Sequence, residues 1–191
     1  SEGIFVSYDI PVEEGDAVQV TGMVAELFGV TALSPATGVS VLSINNTLPT
    51  SVSISLPVTS RDDFEAYEGM RALFPQTLYV TDTYELGRYG EVELALSSRL
   101  LQPTQIAAPG SAAAAVQTTN DLKRILLDDG STVSHPDPIF FSNNPPFPLT
   151  ATNTLRGGDS VDNLSGILGF GFGEYRIYAT APPQFEKSNP R

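Results

Sequence analysis

Arginine and tyrosine side chains are the groups in this sequence best suited to recognising a nucleic acid. A planar guanidinium can form two parallel hydrogen bonds to a phosphate, and an aromatic ring can stack on a base. The candidate nucleic-acid-binding residues are Arg71, Arg88, Tyr89, Arg99, Arg124 and Arg176. Arg88-Tyr89 is the best single pair, because it falls in a predicted exposed turn where cation and ring can contact phosphate and base together. The alternative is that the arginines form ion pairs or face another domain, and that Tyr79 and Tyr175 belong to the core.

The charge distribution limits where a polyanion could bind. The formal net charge is −12 and the sequence pI is about 4.3, so the surface as a whole repels nucleic acid at long range. Residues 69–127 carry five acidic and five basic residues, whereas residues 1–68 carry ten acidic residues and one basic residue. The central region is therefore the least repulsive one. Ion pairing of its arginines with neighbouring acids is the preferred interpretation, since a basic footprint is the usual mark of nucleic-acid binding.

Residue types that carry catalysis are sparse. His135 is the single histidine, cysteine is absent, and the Gly-x-Ser-x-Gly motif of a nucleophile elbow does not occur. Three pairs of acids are adjacent in sequence: Glu13-Glu14, Asp62-Asp63 and Asp128-Asp129. Adjacent residues on a strand point to opposite faces, so these pairs are poor candidates for paired acid and base catalysis. No stretch therefore carries a catalytic signature that stands alone.

A metal site is not expected either. Asp128–Thr132 offers several oxygen atoms in one loop, but it lacks the ligand spacing and the closing glutamate of an EF-hand. A plain turn is favoured over a calcium loop. One histidine and no cysteine are too few ligands for the usual zinc sets. The prediction is that this chain holds no cofactor.

The elements that must position the arginines centre on Met70–Thr104, which is predicted to be a hairpin of two long strands. Apolar residues alternate with polar or small ones on both sides of Gly87-Arg88-Tyr89-Gly90, with the period of a half-buried strand. The glycines of that segment supply the turn. This turn would place Arg88 and Tyr89 at the tip of the hairpin.

Further strands and two short helices are predicted around this hairpin. The strand candidates are Gly3–Tyr8, Ala17–Leu27, Val30–Leu33, Ser40–Ile44, Ser51–Leu56, Ile125–Leu127, Val161–Phe170 and Glu174–Ala179. Ser60 followed by an acid three residues later predicts a capping box and a helix that ends near Gly69. The alanines after Ser111 predict a second helix over Ala112–Leu122, with Ser111 as its N-cap. The proline-rich segment Val133–Pro148 is predicted to be an extended loop over the barrel.

An internal similarity indicates a repeated β unit. Gly15-Asp16, Val18, Gly22, Val24 and Phe28-Gly29 correspond to Gly158-Asp159, Val161, Gly166, Leu168 and Phe172-Gly173. In each copy a Gly-Asp turn leads into a strand, a glycine bends the strand, and an aromatic-glycine pair turns into the next one. This pattern is typical of small closed barrels such as the oligonucleotide/oligosaccharide-binding (OB) fold. We predict a mainly β fold of two OB-like barrels in tandem. The first barrel covers residues 1–60, the second covers residues 61–182 and contains a helical insertion, and residues 183–191 form a linker.

The sequence resembles the region ahead of the catalytic domain in bacterial extracellular nucleases of the ExeM/NucH type. The most specific run is EGMRALFPQTLYVTDTYELGRYGEVELALSSRLLQPTQ, followed by NDLKRILLDDGS, NTLRGGDSV and FGEYRI, and the opening SEGIFV with GDAVQVTGMVAELFGVTAL is similar to the OB-like segment of those proteins. Nearly all 191 residues are covered. Family members usually have strands before the segment matching Gly3–Val6, so the resemblance implies that the first barrel could be truncated.

The resemblance implies a secreted protein whose C-terminal neighbour in the polypeptide is a nuclease domain. The divalent metal of the reaction is expected only in that domain, which lies outside this chain. The expected function is a non-catalytic accessory region that helps to bind or position DNA and packs on the catalytic domain, without contact with a membrane. The alternatives are a structural spacer or interaction module without its own ligand, and a carbohydrate- or matrix-binding module.

Overall fold

The computed structural model describes residues 2–8, 11–137, 139, 141, 150 and 152–188, and within them the chain is mainly β, as predicted. The strands are β1 (Phe5–Val6), β2 (Ala17–Leu27), β3 (Val30–Ser43), β4 (Val52–Ser53), β5 (Arg71–Phe74), β6 (Leu78–Asp82), β7 (Val92–Leu96), β8 (Arg124–Asp128), β9 (Ser160–Val161), β10 (Leu164–Gly171), β11 (Glu174–Ala179) and β12 (Phe185–Glu186). The helices are a 3₁₀ helix (Arg61–Tyr67), α1 (Leu86–Tyr89), α2 (Pro103–Ile106) and α3 (Ser111–Asp121).

The described strands form two sheets of very different size. β1, β3 and β2 make a three-stranded sheet in that order. The other strands form a nine-stranded sheet in the order β12-β9-β6-β7-β8-β11-β10-β5-β4, which is curled into a half-barrel. The arginines of the candidate site all lie on this larger sheet or on the segments that connect its strands.

β6 and β7 form the antiparallel hairpin predicted at the centre of the chain, in a register that pairs Leu78 with Leu96 and Val80 with Leu94. The predicted extension of its first strand back to Met70 is wrong. Pro75 cannot donate to a strand ladder, and the Gln76 side chain exchanges two hydrogen bonds with the backbone of Leu56. β5 therefore separates from β6 and pairs with β10 and β4 instead.

The predicted turn at the tip of this hairpin is a single helical turn, α1. Glu85 precedes α1, and Gly90 ends it with a φ of 72°, in the left-handed region that glycine adopts without strain. Leu86 is buried and fixes α1 against the sheet. Arg88 and Tyr89 thus lie at the tip, as predicted, but on a turn of helix.

The core is formed by buried side chains of the nine-stranded sheet together with others from the segments that connect its strands, among them Phe64 of the 3₁₀ helix. Its largest fully buried side chains are Phe64, Phe74, Phe141, Leu78, Leu94, Ile125, Leu127, Leu164, Leu168 and Ile177. The Phe64 ring centroid is 6.5 Å from that of Phe74 and 5.3 Å from that of Tyr175. Aromatic pairs at this spacing stabilise a core beyond the area that they bury.

Both predicted helices are present, with one error at a cap. Ser60 and Asp63 form the predicted capping box at the start of the 3₁₀ helix. α3 begins at Ser111, but its N-cap is Gly110 and the Ser111 side chain does not cap it. A glycine with a φ of 108° can make the entry into α3 that a residue with a side chain would resist.

The hairpin of β2 and β3, here called the arm, is the larger part of the three-stranded sheet. β2 has the predicted bounds, and its ladder to β3 shifts register on both sides of Gly22, where a bulge was predicted. The two strands predicted at Val30–Leu33 and Ser40–Ile44 are one continuous strand, β3. The arm meets the core where the Thr31 backbone N–H donates to Glu68 Oε1 at 2.7 Å.

The internal similarity of the sequence is repeated in the backbone. Gly15 and Gly158 have φ values of 95° and 97°. Phe28 and Phe172 have φ values of 56° and 53°, and the glycines that follow them have 83° and 85°. These successive positive φ values define the tight turn that joins antiparallel strands most favourably.

The predicted domain limits differ from the sheets. β4 belongs to the nine-stranded sheet, and Ile54, Leu56 and Val58 lie in its core. Residues 52–60 therefore pack with the second predicted unit rather than with the first. β12 pairs with β9 and Phe185 is buried, so the predicted linker at 183–191 begins inside the sheet, and residues 189–191 lie outside the described part.

The proline-rich loop predicted over Val133–Pro148 falls mostly outside the described residues, which include 133–137, 139 and 141 of it. His135 is exposed, and its backbone N–H donates to the carbonyl of Arg88 at 2.7 Å. Phe141 is buried in the core. This part of the segment therefore contacts both the hairpin tip and the interior of the nine-stranded sheet.

Candidate functional site

Arg88 and Tyr89 form an exposed unit at the tip of the central hairpin. The Arg88 guanidinium carbon lies 5.0 Å from the centroid of the Tyr89 ring, a cation–π distance. Arg88 is exposed and Tyr89 keeps 38% of its surface accessible. The pair is positioned by the buried Leu86 on one side and by the hydrogen bond from His135 on the other.

Arg176 lies beside this tip on β11 and is buried, with 3% of its side chain accessible. Its Nη1 donates to Asp128 Oδ2 and, at 2.8 Å, to Glu91 Oε1, and its Nη2 donates to the carbonyl of Gly171 at 2.6 Å. Burial works to lower the pKa of Arg176, but the bonds and charges of Asp128 and Glu91 outweigh it and raise that pKa. Burial raises the pKa of Glu91, although Arg176 opposes this shift. Arg176 is therefore a structural cation that cannot reach a phosphate without breaking these pairs.

A cavity of about 410 Å³, here called the aromatic cavity, opens between the hairpin tip and the β10–β11 turn. Three aromatic rings line it, from Tyr89, Phe172 and Tyr178. The carboxylates of Glu85, Glu91 and Asp128 and the guanidinium of Arg176 are the charged groups of its lining. An apolar wall with a few converging polar groups is the usual make-up of a ligand site.

Two residues that line the aromatic cavity each have a buried polar atom with no hydrogen-bond partner among the described residues: Glu85 Oε2 and Arg176 Nε. One is an acceptor and the other a donor. Leaving such an atom without a partner costs about 1–3 kcal/mol. These atoms are the part of the cavity that the fold itself leaves unsatisfied.

Arg124 is held in a second ion-pair cluster on β8. Its three guanidinium nitrogens lie 2.8 Å from Glu93, 3.0 Å from Asp121 and 2.8 Å from Glu174. Glu174 also accepts from Arg61 Nη2 at 2.7 Å. Burial works to lower the pKa of Arg124, but the carboxylates, Glu174 first, raise it overall. Burial raises the pKa of Glu93 despite its contact with Arg124.

A polar cleft of about 560 Å³, here called the polar groove, lies along this cluster. It brings Arg99 and Arg124 together with Asp82, Glu93 and Glu174. The surrounding groups are mainly amides, from Gln102, Gln105, Gln117 and Asn120. The carboxylates of the groove outnumber its two cations, so it does not attract a polyanion.

The six predicted site residues thus separate into three places. Tyr89 and Arg176 line the aromatic cavity with Arg88 next to them, and Arg99 and Arg124 line the polar groove. Arg71 lines neither, and its Nη1 donates to the carbonyl of Pro49 at 3.1 Å. The ion pairing preferred from the sequence holds for Arg124 and Arg176.

Sequence reasoning missed the acids and the ring that surround the predicted residues. Glu91, Asp128 and Phe172 line the aromatic cavity, and Glu93 and Glu174 line the polar groove. The internal repeat singled out Phe172 as a turn residue, which was the one available signal. The pairing of β8 with β11, which brings Asp128 to Arg176, has no local mark in the sequence.

Among the described residues, no group of three or more histidine, cysteine, aspartate or glutamate side chains is placed to hold a metal ion. In the same part of the chain, no helix is long and apolar enough to cross a membrane.

Comparison with known proteins gave no relative. No protein-family model, no curated protein and no solved structure matches this chain.

Proposed function

We propose that this chain is a non-catalytic accessory region of a secreted nuclease, which helps to position DNA and packs on the nuclease domain of the same polypeptide. The proposal includes the finer fold assignment of two OB-like barrels in tandem. OB folds bind single strands by stacking bases on aromatic rings along a basic surface. The resemblance of the sequence to extracellular nucleases is one support, and the arrangement of the hairpin tip is the other.

The observation that carries the DNA-positioning part is the exposed Arg88–Tyr89 unit. Its cation and ring are 5.0 Å apart and are held on a helical turn that Leu86 anchors in the core. A guanidinium over a ring presents a charge for a phosphate and a face for a base from one small surface. Placement of both residues on one formed helical turn also reduces the entropy that binding would cost.

The surroundings of this unit set the expected strength of binding. Arg124 and Arg176 are already paired with carboxylates, and Glu85 and Glu91 lie beside the tip. The remaining cations allow one or two phosphate contacts, so binding should be weak. The logarithm of the association constant should fall by about 0.7–1.4 for each tenfold rise in salt concentration. A contact of this size suits a region that assists a catalytic domain.

A titration of fluorescently labelled single-stranded DNA at low and moderate salt tests the proposal. The double variant Arg88→Ala/Tyr89→Ala should weaken binding about tenfold, because one stacked base is worth about 1–3 kcal/mol. Tyr84→Ala is the matched control, since Tyr84 is an exposed tyrosine on the same connection. Absence of binding at low salt, or equal loss in Tyr84→Ala, would contradict DNA positioning by the tip.

The second candidate is an interaction module without a ligand of its own, and the surface of the arm favours it. Met23, Val24, Phe28 and Leu42 each leave more than half of their surface accessible. Exposed apolar side chains grouped on one element are typical of protein–protein contacts. Association of this chain with the separate nuclease domain, lost in Met23→Ser/Val24→Ser, is the result that this candidate predicts.

A further inference from the structure

The rings and charged groups that line the aromatic cavity suit a ligand other than DNA. Its rings come from three separate elements, with Tyr89 on α1, Phe172 on the β10–β11 turn and Tyr178 on β11. Its lining holds three carboxylates and the one guanidinium of Arg176, and two of these carboxylates, Glu91 and Asp128, are paired with that guanidinium. A negatively charged wall of this kind disfavours a phosphate.

The two buried polar atoms without hydrogen-bond partners indicate the chemical class of the ligand. Arg176 is 97% buried, and its Nε is a donor that lacks an acceptor, while Glu85 Oε2 is an acceptor that lacks a donor. A hydroxyl group can both donate and accept, whereas an ammonium or guanidinium group has no acceptor to offer. The pair of atoms therefore matches a hydroxylated ligand better than a cationic one.

We propose that the aromatic cavity binds a saccharide unit. The C–H face of the sugar ring stacks on Tyr89 and Phe172, whose electron-rich faces attract the positive edge of C–H bonds. Hydroxyl groups of the sugar donate to Glu85 and accept from Arg176. A cavity of about 410 Å³ is within the range of small-ligand sites.

Phe172 lies at the edge of the cavity, next to the buried cation. The Arg176 guanidinium carbon lies 5.6 Å from the centroid of the Phe172 ring, which is a cation–π distance. Phe172 is 96% exposed, so its ring has a free face on which a sugar can pack.

The chain contains a matched control for this proposal. Phe28 is 96% exposed, has nearly the same φ as Phe172, and is also followed by a glycine in a tight turn. It lies on the arm and does not line the aromatic cavity. A general effect of an exposed phenylalanine would appear at both positions, and a specific site only at Phe172.

The test is a titration followed by amide chemical shifts, with cellotetraose, chitotetraose and maltotetraose as sugar probes and tetramethylammonium as the cationic probe. We expect at least one sugar to shift the amides of Tyr89, Gly130 and Phe172. Phe172→Ala should weaken that binding about tenfold, whereas Phe28→Ala should leave it within about twofold of the native chain. Glu85→Gln, which keeps the size of the side chain, should weaken it as well.

Three results would overturn the proposal: no shift with any of the sugars, equal weakening by Phe172→Ala and Phe28→Ala, or binding of tetramethylammonium without binding of sugar. Tyr89 belongs to both proposed sites, whereas Arg88 does not line the cavity and Phe172 is not part of the DNA-binding unit. Failure of the sugar titration is separate from failure of DNA binding, because the two experiments use different probes.

Discussion

The arm and the nine-stranded sheet contain the same type of Phe-Gly turn in different surroundings. Phe28-Gly29 turns β2 into β3, and Phe172-Gly173 turns β10 into β11, with φ values that agree within a few degrees. Both phenylalanines are 96% exposed. The strands on either side of the two turns differ in how deeply their side chains are buried.

The hairpin of β10 and β11 buries far more of its side chains than the arm does. In the arm, Ala32 is the one strand residue that is buried. In β10 and β11, Leu164, Leu168 and Ile177 are among the most deeply buried side chains of the described chain. β11 pairs with β8 and β10 with β5, whereas the outer edge of β2 has no neighbouring strand in its sheet. An isolated two-stranded hairpin is marginally stable in water, so we infer that the stability of the protein comes from the nine-stranded sheet.

The largest expected difference between the two regions is in the cost of removing a side chain. Phe74→Ala should lower the free energy of unfolding by about 3–5 kcal/mol, because it leaves a cavity in the core. Val24→Ala in the arm should cost under about 0.5 kcal/mol, since Val24 is 68% exposed. Urea denaturation followed by circular dichroism measures both. Similar costs at the two positions would mean that the arm is buried in solution.

The buried ion pair of the sheet should show the next largest effect. Arg176→Met leaves the buried Asp128 and the half-buried Glu91 without their cation, which costs about 3 kcal/mol or more. Arg88→Met, at the exposed tip, is the control and should change the free energy of unfolding by under about 0.5 kcal/mol. A stable Arg176→Met protein would show that the pair contributes little to the fold.

The glycines of the two matched turns allow a finer comparison. Alanine at either position must adopt a positive φ, which costs about 1–2 kcal/mol. A Cβ at Gly29 would also lie 2.7 Å from the Phe170 ring, whereas one at Gly173 would meet open space. Gly29→Ala should therefore lower the melting temperature more than Gly173→Ala. The reverse order would contradict the packing of the arm against Phe170.

The smallest effect concerns the contact between the arm and the core. Burial raises the pKa of Glu68, and the charges of Glu65 and Glu26 raise it further, against the hydrogen bond from Thr31. A carboxyl whose pKa is raised on folding stabilises the folded state at low pH, and this contribution is lost as the pH rises above 4.5 through the raised pKa. Hydrogen exchange of the Thr31 amide should accordingly be better protected on the acid side, after correction for intrinsic exchange.

Glu68→Gln keeps an acceptor for Thr31 and removes the titration. The variant should show protection of Thr31 that no longer depends on pH in this range. A pH dependence that persists in Glu68→Gln would assign the effect to another group.

The sequence predicted features that depend on near neighbours in the chain. The bounds of β2, the bulge at Gly22, the capping box at Ser60 and the paired Phe-Gly turns all follow from residues within a few positions of one another. The cap of α3 was the exception, because Ser111 is a good N-cap type but Gly110 takes the N-cap position.

Features that depend on distant pairings could not be predicted. Pro75 is a local signal for the break between β5 and β6, but nothing near β5 in the sequence indicates that it pairs with β10 and β4. The candidate site shows the same limit: Arg176 was identified as a cation, but its partner Asp128 is 48 positions away and approaches through the β8–β11 pairing. An alternation pattern reports which face of a strand is buried, but not which strand lies next to it.

Hydrogen exchange of the chain with and without a saturating single-stranded oligonucleotide at low salt tests the proposed function most directly. We predict that DNA slows the exchange of residues 84–91, which include the Arg88–Tyr89 unit, and leaves residues 17–43 of the arm unchanged. Slower exchange in the arm with no change at 84–91, or no change in either region, would contradict a DNA-positioning role for the hairpin tip.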